Sequence, residues 1–320
     1  MERGFYSLCY HYIRKDKDDP IPRLFGTKIG EFSEHLNMIK KEYSPISLDD
    51  VTSFFNNKLD FSNKKNGLLI TFDDALADQF EVAKILAEND ISAVFFIPTC
   101  IIKDELPANP VIIHYAVAIH GMKQFLEKLK NILQKRYSNN LKQFERVFLE
   151  KDVWVSIEMI KNIFHYELEP SLSRDMLIDI FSNMVQSEKI KTNDIHLTKD
   201  RIRKLLKMGH TIGTHSHSHV SLAREIINDD YIEKELVKPK EHLMDYFDID
   251  INCMSYPFGE SRDCLKAQEL FKQTNAYQLA FTIEHKLNTK DTPPLEIGRY
   301  MVDSRDDVNV LKKKIEEKSV

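Results

Sequence analysis

Glycine is scarce, with nine residues in 320. None is spaced as G-x-G-x-x-G or G-x-x-x-x-G-K-[ST], which removes the sequence support for a dinucleotide-binding fold or a P-loop. The four cysteines, Cys9, Cys100, Cys253 and Cys264, form no C-x-x-C pair. A cysteine-based zinc site is therefore not expected, and the thiols read as reduced or simply buried. Neither sign of charge dominates. Lys plus Arg is 45 and Asp plus Glu is 50, a formal net charge of −5. That balance gives no general reason to bind nucleic acid or an anionic membrane. Long apolar runs are missing too. The longest uncharged window, 106–122, is broken by two prolines and two histidines and does not read as a membrane span. The opening MERGFYSLCYHYIRK is too short in apolar length, and too interrupted by Tyr10 and His11, for a secretory signal. A cytoplasmic protein is the expectation.

What is present is ordinary globular material, 42% hydrophobic and 30% charged, with length enough for one large domain. Strands alternate with helical stretches in the first hundred residues. The runs 5–12, 67–72 (GLLITF) and 93–97 (AVFFI) read as buried strands, with helical spacing over 29–42 and 78–89. From 104 to 196 the spacing is helical throughout, over 111–135, 141–151, 155–166 and 173–189. Strand–helix alternation returns with a helix at 198–208, a strand at 211–213, a long helix at 229–247 broken or kinked by Pro239, and strands at 251–256 and 279–283. The expected organisation is an α/β barrel-like unit from 1–103 and 197–320, interrupted by a helical insertion at 104–196 that would act as a lid or a dimerisation element.

Two segments can carry chemistry. Asp73-Asp74 ends the buried strand GLLITF. Adjacent acids at a strand end diverge, so one can bind a metal while the other takes a proton; capping the next helix is the plainer alternative. His215-Ser216-His217-Ser218-His219 places two imidazoles four residues apart, on one face if the segment is helical, where they could chelate a divalent ion. A carboxylate would complete such a set, and His217 would point away. His35, His114, His120, His165, His210, His242 and His285 sit singly and read as surface or core histidines. Ser255–Gly259 (SYPFG) by itself is a strand running into a turn.

Taken together, ITFDDA (70–75), AVFFIPT (93–99), LTKDRIRKLLKMGHTIGTHSHSH (197–219) and SYPFG (255–259) resemble the polysaccharide deacetylases, carbohydrate esterase family 4. The resemblance covers about 200 residues and leaves the helical insertion outside. It implies a distorted (β/α)7 barrel-like fold and a divalent metal, zinc first, with cobalt or nickel as alternatives. By position, Asp74, His215 and His219 would hold the metal and Asp73 would be the general base. Tyr256 lies in the segment whose backbone would support the oxyanion, with Pro257 and Gly259 shaping that wall.

Two departures stand out. Many members have arginine two residues before the proline of the third motif, where this chain has Ser255. Arg299, in LEIGRYMV, is the candidate replacement, with a surface ion pair to Glu296 or Asp303 as its alternative. The usual C-terminal histidine element is also not recognisable. LCYHYI (8–13) resembles the first-strand motif of circularly permuted deacetylases, which makes His11 the expected general acid. The implied reaction is removal of an N-acetyl group from an amino sugar, a nucleotide sugar or an oligosaccharide, with release of acetate. An inactive glycan-binding barrel, or an amidase or deformylase acting on another N-acyl compound, are the alternatives.

Overall fold

The computed structural model describes residues 3–61, 65–223 and 227–317. Ten strands are present among them: β1 (Phe5–Tyr10), β2 (Ile13–Arg14), β3 (Thr27–Lys28), β4 (Ser44–Pro45), β5 (Gly67–Phe72), β6 (Val94–Ile97), β7 (Thr211–Thr214), β8 (Cys253–Ser255), β9 (Leu279–Phe281) and β10 (Tyr300–Met301). The main sheet runs β10-β1-β5-β6-β7-β8-β9, with β4 added beside β5 and every pairing parallel. β2 and β3 form a separate ribbon. Parallel strands covered on both faces should read as continuous apolar runs. β5 and β6 do, and each of their residues is buried.

The seven-strand path is the expected distorted barrel. Its two ends do not pair as strands but are bridged by one segment. The amide of Ala280 donates to Pro294 O at 2.9 Å, Ile297 donates to Ala280 O at 3.0 Å, and Val302 donates to Cys9 O at 2.9 Å. Residues 294–302 therefore lie against β9 at one end and β1 at the other, and Arg299 enters the interior from this bridge.

Every regular element between 104 and 195 is helical. The leading helix, Asn109–Arg136, kinks at Gly121, whose φ of 72° suits glycine. Arg23 takes up the carbonyls exposed by the kink, with Nε 2.7 Å from Ala118 O and a second bond to Ile119 O. The expected helix at 141–151 is a 3-10 turn, Ser138–Phe144, followed by a short α-helix, Glu145–Leu149. The helices expected at 155–166 and 173–189 each relax into a π turn, Ile163–Glu167 and Phe181–Val185. One continuous core unites the insertion with the barrel: Leu8, Phe72 and Phe95 share it with Val111, Phe164 and Met184.

The expected helix at 229–247 is three pieces: Asp229–Ile232, a π turn at Glu233–Val237, and Lys238–Phe247. Pro239 explains the break. It has no amide hydrogen to donate to the carbonyl four residues back, Glu235 O.

Candidate active site

The candidate site stands at the C-terminal ends of β5, β7 and β8. Asp73 and Asp74 follow β5, His215 to His219 follow β7, and Ser255 ends β8. The backbone turns sharply here. Asp74, Ala75, Ser216, His219 and Phe258 all have positive φ, between 49° and 68°. Left-handed non-glycine residues cost on the order of 1–3 kcal/mol each, and such strain concentrates where a site fixes side-chain direction.

The expected helical turn at 215–219 is not formed. The segment is a loop, with Ser216 and His219 both left-handed. The two imidazoles still meet, with ring centroids 4.6 Å apart and planes at 87°. The loop is pinned from three sides. His215 N donates to Ile97 O at 3.0 Å, and His217 N donates to Glu235 O at 2.7 Å, the carbonyl released by Pro239. The Glu235 carboxylate receives Ser218 N at 3.1 Å and Ser218 Oγ at 3.1 Å. His217 points away, to Thr99 Oγ1 at 2.8 Å and Asp104 Oδ2 at 2.9 Å.

Asp74 Oδ1 lies 3.6 Å from His215 Nε2 and 3.7 Å from His219 Nε2. Asp74 Oδ1 and His215 Nε2 are buried and have no hydrogen-bond partner among the described residues. Orphaned buried donor atoms are costly, which makes this a set suited to a cation. His215 Nδ1 donates to Ser255 O at 2.9 Å, which leaves the Nε2 lone pair facing Asp74. Burial lowers the pKa of both histidines, and for His219 the charge of His215 adds to the effect. Both are thereby kept neutral, the form that ligates a metal. Burial also pushes Asp74 up to about 6, against the opposing charge of His11. A carboxylate with that environment calls for a positive partner. The donor set of one carboxylate and two imidazoles therefore fits a divalent ion.

Asp73 is driven the opposite way. Burial works to raise its pKa, but the Arg299 guanidinium outweighs it and holds the carboxyl well below the usual carboxylate range. Arg299 is fully buried, so the alternative of a surface ion pair is excluded. Its NH1 and NH2 donate to Asp73 Oδ1 and Oδ2, each at 2.8 Å. The remaining donors reach Thr71 Oγ1 at 3.1 Å, Ser255 Oγ at 2.7 Å and Thr282 O at 3.0 Å, so the whole fork is used. Ser255 Oγ also donates to Asp73 Oδ2 at 3.0 Å. The serine at the expected arginine position thus becomes part of the clamp. Asp73 Oδ2 is 3.8 Å from His215 Nε2, so the two acids border one space.

Tyr256 requires a correction. Its amide donates to Phe281 O at 3.1 Å, because the β8–β9 ladder continues one residue past Ser255, and it is not available to an oxyanion. Its ring stacks on Phe271 in the core and its hydroxyl donates to Leu295 O at 3.1 Å. Pro257 has no amide hydrogen, so the next amide in the segment is that of Phe258. Gly259 holds the turn. Its φ is 71°, and a Cβ there would come within 3.0 Å of Ile283 N. Its carbonyl receives the Ile283 amide at 3.1 Å.

His11 follows β1 and is half-buried. Its Nδ1 is 3.9 Å from Cys9 Sγ, and ligand atoms of Cys9, His11 and Asp73 lie within 4.8 Å of one another. Gln79 ties this edge together, donating to His11 O at 3.0 Å and Asp73 O at 2.7 Å.

Sequence reading missed Glu235, although Pro239 within a helical pattern was its signal. It also passed over His165 and His114, single histidines of the insertion that reach the site's surroundings. Phe258 stands with its ring 4.7 Å from that of His219 and 4.6 Å from that of His165.

The sequence model of the polysaccharide deacetylase family matches residues 180–276, a span that contains both histidines and Ser255–Gly259. No curated protein matches the chain. Among solved structures, the chain is similar to the Streptococcus pyogenes deacetylase PplD, with a TM-score of 0.58 and 15% identity over 99% of this chain and 100% of that one. It is also similar to IcaB from Ammonifex degensii, with a TM-score of 0.58 and 12% identity over 98% of each chain. A de-N-acetylase from Aggregatibacter actinomycetemcomitans gives 0.56 and 13%, covering 97% of this chain and 99% of that one. At such identities these likenesses speak for the fold. The polysaccharide deacetylase model thus matches about a third of the chain, residues 180–276, and the whole chain shares the fold of these solved structures.

Proposed function

We propose that this protein is a metal-dependent hydrolase that removes the acetyl group from an N-acetylated amino sugar or glycan. One observation carries the reading. Three inward-facing donor groups, on Asp74, His215 and His219, converge beside a second acid, Asp73, that a buried arginine keeps ionised. Asp74, His215 and His219 would hold the ion, with zinc the first candidate and cobalt or nickel the alternatives. Bound there, a divalent cation supplies Lewis acidity, polarising the acyl carbonyl and making water easier to deprotonate.

The chain's own residues do the rest. Asp73 accepts the proton of the attacking water. Its low basicity is offset by an orientation fixed through Arg299 and Ser255. The Phe258 amide is the proposed donor to the oxyanion, where one well-placed donor contributes about 3–4 kcal/mol. His11 protonates the departing nitrogen as the C–N bond breaks, giving acetate and a free amine. The arginine clamp on Asp73 supports catalysis over the alternative of an inactive glycan-binding barrel.

The test separates ligands from base. Asp74→Ala and His215→Ala should lose both metal and acetate release. Asp73→Asn should keep the metal and lose about 10²–10⁴ in kcat. Undiminished turnover in metal-free Asp74→Ala would overturn the proposal. Comparing N-acetyl, N-formyl and O-acetyl substrates addresses the amidase and deformylase alternative.

A further inference from the structure

The four central side chains are almost sealed from solvent. Asp73, Asp74, His215 and His219 are 2%, 4%, 1% and 5% exposed. The inserted helices reach this site on two flanks. On the side of His11, the next residue, Tyr12, bonds through its hydroxyl to Nδ1 of His114 at 3.1 Å, and the two rings meet edge to face at 5.9 Å. His114 belongs to the Asn109–Arg136 helix of the insertion. On the side of His219, the half-buried Phe258 ring lies 4.6 Å from His165 and 6.0 Å from Tyr166, both in the Ile163–Glu167 turn of the insertion. Arg262, on the barrel helix Ser261–Thr274, places its guanidinium 4.2 Å above the Tyr166 ring and closes the bracket.

We infer that the insertion walls the site on both flanks, so that it accepts an N-acetylated amino sugar as a free unit or at a chain end and rejects interior units of a polymer. An interior unit carries a glycosidic bond on each side and needs an open groove with two exits. A terminal unit needs one. The flanking groups are aromatic rings with polar tips, on Tyr12, His114 and Tyr166, together with the guanidinium of Arg262. Such groups stack on a sugar face while hydrogen-bonding its hydroxyls. The inference rests on the deacetylase reading above and adds the class of substrate.

The experiment uses the metal-loaded full chain with an N-acetylated glucosamine tetramer labelled at its reducing end. Fragmentation mass spectrometry locates the units that lose acetyl. Terminal deacetylation should exceed interior deacetylation by at least about 50-fold. His114→Ala and Tyr166→Ala should each reduce that ratio by about tenfold with metal content unchanged, an effect that general destabilisation would not produce. If either variant fails to fold, Tyr12→Phe and Arg262→Lys are read by the same ratio. Interior units deacetylated within about threefold of terminal ones would overturn the inference while leaving the deacetylase reading intact. Release of acetate from no N-acetylated sugar at all, free or linked, would overturn both.

Discussion

Asp73 and Asp74 are chain neighbours with opposite electrostatics. Both are buried, but one meets a guanidinium and the other faces two neutral imidazoles. The pH behaviour follows. Arg299→Gln removes the strongest influence opposing burial at Asp73, so the carboxyl rises, and the acid limb of the kcat/KM profile should move to higher pH. The same variant should lose on the order of 3–5 kcal/mol of stability in denaturant titration, because it strands a buried charge. In the native protein the depressed Asp73 contributes stability that is fully present above its unfolded value of about 3.9. That contribution is lost as pH falls through the folded value, so acid unfolding of Arg299→Gln should show a weaker dependence on pH in that range. The acids and histidines were legible in the sequence because each set is contiguous. Arg299 could be proposed only from the gap left by Ser255. The spent amide of Tyr256 was illegible, because strand register decides it and a one-residue extension of the ladder is invisible in composition.

At the scale of elements, the histidine loop depends on a broken helix. Pro239 frees Glu235 O for the His217 amide, and the Glu235 side chain covers Ser218. Pro239→Ala restores a helical donor that competes for that carbonyl. We expect it to weaken metal affinity by about tenfold in a chelator competition, although propensity alone would favour alanine in a helix. Glu235→Ala should cost about 1–3 kcal/mol in thermal unfolding by stranding the buried Ser218 amide. The sequence signalled the kink but not its use, since the amide that donates to the freed carbonyl lies 22 positions upstream of the proline, a contact made only in the folded state. The helices of the insertion were readable from spacing. Their π turns were not, since these arise where helices adjust to tertiary neighbours.

For the whole molecule, the helices of 104–196 share one hydrophobic core with the barrel strands. Replacing 104–196 with a short linker should expose Leu8, Phe72 and Phe95, and the shortened chain should show no cooperative thermal transition. A barrel that unfolds cooperatively without the insertion would show that the shared core is dispensable. The alternation of strands and helices gave the barrel, but the docking of 104–196 is a property of side-chain packing between distant segments, with no local pattern to mark it.

The bridge that closes the barrel also sets an order of events. Asp73 lies 226 residues before the guanidinium that neutralises it. While the polypeptide is being synthesised, a barrel collapsing early would enclose a bare anion. Only docking of the last strand resolves that conflict, so ring closure and maturation of the reactive centre become a single late event. A nascent chain stalled short of that residue should remain loosely packed around β5 rather than accumulate as an almost-finished enzyme.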